Sequence, residues 1–86
     1  MSKFKMFYFY ILKSLISLKC YVGSSENIGK RLKFHNLGKV KSTKYDKPWK
    51  LVYSESFKNL REARKRELQV KNWKSRLAIE RLIKTF

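Results

Sequence analysis

The chain has one cysteine, one histidine, one proline and three glycines. A lone cysteine cannot form an internal disulfide, and together with a lone histidine it cannot complete the shell of a structural zinc site. Scarce glycine and proline argue for a compact fold with few loops, and no repeat or low-complexity tract is visible. Acidic residues are few: 6 Asp and Glu stand against 22 Lys and Arg, for a formal net charge of +16. No run reaches the roughly 20 apolar residues of a membrane-spanning helix. Lys3 and Lys5 before MFYFYIL have the charge order of a secretory leader. That run is aromatic, is broken by Lys13 and has no small-residue cleavage pattern after it, so a leader is not expected. These absences fit a reducing cytoplasm and no membrane role.

What is present is a domain's worth of apolar surface under an excess of positive charge. Of the 86 residues 43% are hydrophobic and 15% aromatic, which excludes a disordered basic tail. A chain this short forms one domain, residues 1–86, with a modest core. A net charge of this size repels itself unless a polyanion compensates it, so nucleic acid is the expected partner. Charge alone does not separate DNA from RNA.

Residues 1–5 read as a basic, frayed start. Met6–Leu12 is rich in aromatic and β-branched types and reads as a strand. Both of its faces are apolar, Phe7, Phe9 and Ile11 on one and Tyr8, Tyr10 and Leu12 on the other, so it should be covered on both sides. Lys19–Gly23 reads as a second strand with Lys19, Tyr21 and Gly23 on one face. A hairpin with its tip at Leu15–Ile16 would set Tyr10 opposite Tyr21, and a slip of two residues would keep the two phenols on one face. Gly23 reads as a structural turn residue with an unusual backbone conformation. Ser24, Ser25 and Asn27 are all helix-capping types, and the helix they open has Ile28, Leu32 and His35 on its inner stripe. Arg31 and His35 are four apart on one flank, and Gly38 is a natural terminator.

After the basic stretch KVKSTKYDK and Pro48, Trp49–Phe57 alternates as a third strand, with Trp49, Leu51, Tyr53 and Phe57 inward. Glu55 breaks this pattern and reads as a surface or ion-pair residue. Asn59 caps a helix to about Ser75 with the stripe Leu60, Ala63, Val70 and Trp73. Glu67 lies at the edge of that stripe, where a carboxylate without a partner is costly. A shorter helix uses Leu77, Ile79, Leu82 and Ile83. The expected fold is α+β: a small three-stranded antiparallel sheet flanked by helices, in the order β-β-α-β-α-α.

These blocks resemble the GIY-YIG nuclease superfamily, in particular its small single-domain bacterial members of the excinuclease-subunit-like or UPF0213 type. The first motif stands as Phe9-Tyr10-Ile11, without the glycine of the family triplet. The second stands as Tyr21-Val22-Gly23, with the family's usual spacing between the two tyrosines. Lys30-Arg31-Leu32, His35-Asn36, Lys44-Tyr45, Pro48 through Tyr53, Glu62 through Glu67, Lys71 and Lys74-Ser75-Arg76 follow in order. The resemblance covers about residues 6–84. It implies a metal-dependent endonuclease acting on DNA, with Mg²⁺ or Mn²⁺, in repair, recombination or mobile-DNA processing. Tyr10 and Tyr21 would be its site tyrosines, Arg31 its phosphate ligand, His35 a helper on the same helix and Glu67 its sole protein metal ligand. Asn72 is not assigned to the family's C-terminal asparagine.

The chemistry suits these residue types. One carboxylate can seat Mg²⁺ when the substrate phosphate supplies further oxygens. Arginine offers a planar fork to phosphate and keeps its proton. A tyrosine becomes a base only among cations, and Lys19, on the face of Tyr21, would supply one, with Tyr10 slightly preferred as the base. Lys39, Lys41, Lys44, Lys47, Arg64, Lys65, Lys71 and Lys74 are candidate contacts to the nucleic-acid backbone, which carry affinity without base specificity. The family joins this module to larger specificity domains; here either the enzyme would be weakly sequence-specific, or a partner protein or DNA shape would select the target. The alternative is a basic nucleic-acid-binding module with a vestigial site.

Overall fold

A computed structural model describes residues 5–86. The basic start expected over residues 1–5 lies, apart from Lys5, outside the described residues. Strand β1 (Phe7–Ser14) runs antiparallel to β2 (Cys20–Ser25) on one side and to β3 (Trp49–Phe57) on the other, giving the sheet order β2-β1-β3. Helices α1 (Ile28–Asn36), α2 (Leu60–Lys71) and α3 (Arg76–Ile83) complete the order β-β-α-β-α-α. The α+β architecture expected from the sequence is the one observed.

As the central strand, β1 is covered on both faces. Phe9 and Ile11 pack with Val22, Tyr53 and Val70 beneath α2 and α3, while Tyr10 and Leu12 pack with Trp49 beneath α1. All four of these β1 residues are buried, which is why the strand reads as an apolar run rather than an alternation.

The hairpin is two residues longer than the symmetric estimate. Tyr10 pairs with Gly23 and Leu12 with Tyr21, not Tyr10 with Tyr21. Ser14 causes the difference: its hydroxyl accepts the N–H groups of Ile16 and Ser17, and Ser14 N–H bonds the carbonyl of Lys19. Leu18 takes a left-handed conformation, φ 63°, to close the turn. Because the slip is two residues, every side chain keeps its face.

Strand β3 does not present a single inward face. Ile11 pairs with Tyr53 and Leu12 with Leu51, which leaves Val52 as an extra residue in a bulge. A bulge resets the alternation. Trp49 and Leu51 therefore pack toward α1, and Val52, Tyr53 and Phe57 pack on the opposite face.

Side-chain oxygens start each helix: Asn27 accepts from Lys30 N–H, Asn59 from Glu62 N–H and Ser75 from Ala78 N–H. Gly38, at φ 76°, ends α1 as expected. Helix α2 stops at Lys71 rather than Ser75, because Lys74 turns left-handed (φ 49°) and Ser75 caps α3 instead. Ile79, Leu82 and Ile83 anchor α3, whereas Leu77, expected inward, is exposed.

Candidate active site

A cleft of about 430 Å³ is lined by Tyr10, Tyr21, Gly23, Ser24, Arg31, Arg64, Glu67, Leu68 and Lys71. It lies where the end of β2, an edge strand, meets α1 from one face of the sheet and α2 from the other. Tyr10 and Tyr21 share the α1 face, with ring centroids 6.4 Å apart. Gly23, across from Tyr10, makes this possible. A Cβ there would sit 2.7 Å from the Tyr10 hydroxyl oxygen and 2.8 Å from Cζ. Close approach, rather than an unusual backbone conformation, is what requires the glycine, which corrects the expectation of a turn residue.

Tyr10 is only 1% exposed. Burial pushes its phenol above the usual tyrosine range, and the neighbouring Arg31 guanidinium partly offsets this. Tyr21 is less buried and forms part of the cleft wall. The residue before Tyr10, Phe9, is buried on the opposite face, so an aromatic in the first motif does not crowd the cleft.

Arg31 reaches the cleft from α1. His35, one turn on, does not line it and is fully buried, with its ring centroid 4.6 Å from that of Tyr21. Thr43 donates its hydroxyl to the carbonyl of Val40, so its oxygen accepts the Nδ1–H of His35 at 2.8 Å. His35 Nε2 is buried with no hydrogen-bond partner. His35 thus braces Tyr21 from behind.

Burial, helped by the charge of Arg31, pulls the His35 pKa below its ordinary value. The unfolded chain therefore binds a proton that the folded chain resists. The neutral-His contribution to stability is complete above about pH 6.5 and shrinks as pH falls toward the lowered folded pKa. The melting-temperature gap between wild type and His35→Gln should accordingly narrow between pH 7.5 and pH 5. A gap independent of pH would contradict this account.

Glu67 projects from α2 to the same cleft, its side chain 20% exposed. One carboxylate oxygen accepts the Ser24 hydroxyl at 2.6 Å, and the other pairs with Lys71 at 2.6 Å. Ser24 is a residue that sequence reasoning missed. It reads as one of three capping types before α1, and only the fold shows it as the end of β2 facing α2. With Arg31, Arg64 and Lys71 around Glu67, cations outnumber acids in the cleft.

The remaining candidates separate. Lys19 precedes β2, is exposed and lies 4.0 Å from Asp46, outside the cleft. Arg64 and Lys71 line the cleft, while Lys65 lies with Phe57 and Arg66 in a different depression. Lys39, Lys41, Lys44 and Lys47 belong to the α1–β3 connection, and Lys74 follows α2. Glu55 is an ion-pair residue, bound to Arg66 at 3.1 Å away from the cleft.

A carboxylate, two phenols and an arginine line this basic cleft on a small α+β domain, and the family match makes it a nuclease domain. The chain belongs to the GIY-YIG family, whose catalytic domain matches residues 6–81. It is 46% identical over 67 residues to a UPF0213 protein of Clostridium perfringens, covering 77% of this chain and 71% of that protein. A UPF0213 protein of Bacillus pumilus is 40% identical, over 77% of this chain and 67% of its own length. One from Staphylococcus haemolyticus is 39% identical, with 77% and 80% covered. No solved structure gives a significant match. Among the described residues, no helix is long and apolar enough to cross a membrane.

Proposed function

We propose that this protein is a divalent-metal-dependent endonuclease that hydrolyses DNA phosphodiester bonds with little sequence preference. The observation that carries this reading is the convergence of Tyr10, Tyr21, Arg31 and Glu67, from four separate elements, on one cation-rich cleft.

The donor set fits a hard cation. Glu67, the Ser24 hydroxyl and the phenols are all oxygen donors, and Mg²⁺ or Mn²⁺ favours oxygen. Among the described residues no group of three or more His, Cys, Asp or Glu converges, so Glu67 would share the ion with the substrate phosphate. When bound, the metal supplies Lewis-acid stabilisation of the charge that develops on phosphate. Lys71 now occupies one Glu67 oxygen and would turn to a phosphate oxygen as the substrate enters.

Arg31 grips two non-bridging oxygens of the scissile phosphate and neutralises the pentavalent transition state. Tyr21, acting as the phenolate, takes the proton of the attacking water as the new P–O bond forms and the P–O bond to the leaving oxygen breaks, and solvent protonates that oxygen. It is preferred to Tyr10 because it is the less buried phenol, and burial raises the Tyr10 pKa, which opposes its ionisation. Tyr10 holds the water through its hydroxyl. Arg64 and Lys71 bind flanking phosphates. DNA shape or a partner protein selects the target, in repair, recombination or mobile-DNA processing within the cytoplasm.

The test is cleavage of labelled single-stranded, duplex, flap and branched DNA, with RNA counterparts, in Mg²⁺, Mn²⁺ or EDTA. Cuts should appear with metal and vanish with EDTA, and Tyr21→Phe should lose more rate than Tyr10→Phe. Binding without cleavage in either metal would leave a nucleic-acid-binding module with a vestigial site.

A further inference from the structure

Tyr45 has no place in the cleft, yet it is the most exposed large apolar side chain among the described residues, at 80%. Isolated exposed aromatics are common on protein surfaces, but the setting of this one is unusual. Its loop is firmly anchored. Two residues before it, Thr43 is buried and bonded to His35, and the Thr43 carbonyl accepts the Trp49 indole N–H at 2.9 Å. One residue after it, the Asp46 carbonyl accepts the hydroxyl of buried Ser14. A mobile loop could hide an aromatic ring, but here the backbone on both sides of Tyr45 is held and the ring stays in water.

The surroundings point to the occupant. Lys44 lies over the ring, its nitrogen 4.9 Å from the centroid. Lys41 and Lys47 are exposed on the same connection, and the loop's one acid, Asp46, faces Lys19. The β1–β2 tip abuts the loop, since Leu15 N–H donates to the Pro48 carbonyl, and it exposes Leu15 and Ile16. An exposed ring set among lysines is complementary to a strand whose bases are unstacked and whose phosphates lie alongside. Duplex DNA hides its base faces and could use only the lysines. The loop is also tied to the cleft wall through the core: buried Thr43 bonds buried His35, and His35 packs on Tyr21.

We infer that Tyr45 and its flanking lysines form a second nucleic-acid site, which stacks an unpaired base of a single-stranded segment of the substrate. This rests on the nuclease reading for its purpose: it directs the enzyme to substrates with unpaired nucleotides, such as flaps. The stacking itself does not depend on cleavage.

The test is fluorescence anisotropy in EDTA, so that it does not depend on catalysis. The probes are a labelled oligothymidylate, an abasic strand of equal length and charge, and a duplex. Tyr45→Ala should weaken oligothymidylate binding roughly tenfold, while its affinity for the abasic strand and duplex stays within about twofold. Tyr45→Phe should bind as wild type does. Since Tyr45 is exposed, thermal melting of Tyr45→Ala should match wild type. Equal loss on all three probes, or no loss on oligothymidylate, overturns the inference whether or not the protein cleaves. Loss confined to oligothymidylate supports it even if no cleavage is ever seen.

Discussion

Glu67→Ala is expected to lose metal-dependent cleavage by roughly a hundredfold to ten-thousandfold, while binding DNA in EDTA at least as tightly as wild type. The two effects have separate causes. A metal ion contributes several kcal/mol of transition-state stabilisation, and each ~1.4 kcal/mol is a tenfold rate. Among the described residues no other carboxylate lines the cleft to replace Glu67 as the proposed metal ligand. Binding is electrostatic, and removing one of the few acids from a chain of net charge +16 does not weaken its hold on phosphate. Folding should be little affected. The Ser24 hydroxyl and the Lys71 ammonium lose a partner but both border an open cleft, where water replaces it, and a partly exposed pair is worth about 1 kcal/mol or less. Glu67→Gln keeps an oxygen for Ser24 but not the charge, and should be as inactive as the alanine variant. Wild-type cleavage rates in either variant would remove Glu67 from the mechanism.

The second large effect is structural. Gly23→Ala should lower stability by about 1–3 kcal/mol, the range for overpacking a filled site. For a domain of this size that is a fall of several degrees in melting temperature. The added methyl would lie 2.7 Å from the Tyr10 oxygen and 3.1 Å from Cε2 of Tyr21. Tyr10 is buried between β2 and α1 and has nowhere to move. Relief must therefore come from displacing both tyrosines, so cleavage should fall along with stability. Calorimetry and single-turnover cleavage of the one variant would show both. A Gly23→Ala protein that melts and cleaves like wild type would mean that Tyr10 is not held where the structure places it.

Sequence patterning alone carried the element order, the double-sided burial of β1 and the placement of Tyr10 and Tyr21 on one face. These follow from local rules: aromatic and β-branched runs form strands, capping oxygens open helices, and a period of two keeps alternate residues together. Glu67 was legible for a related reason, as an acid at the edge of an apolar stripe in a chain with few acids. The motif spacing tied these residues to one family.

Long-range geometry decided the rest. The Ser14 turn and the bulge at Val52 depend on hydrogen bonds that no periodicity encodes, and they set the hairpin register and the face of each β3 residue. Ser24 became a partner of Glu67 only when β2 ran two residues past Gly23 and α2 crossed its end. Lys19, placed by alternation beside Tyr21, is instead drawn to Asp46 from the loop before β2. Gly23 is needed because of a ring on the neighbouring strand rather than its own backbone angles. Sequence determined which residue types the cleft can draw on and how they are spaced, because residue type and local spacing are properties of the chain itself. Tertiary structure decided which of them meet, because a contact between β2 and a helix some forty residues later depends on packing and not on period.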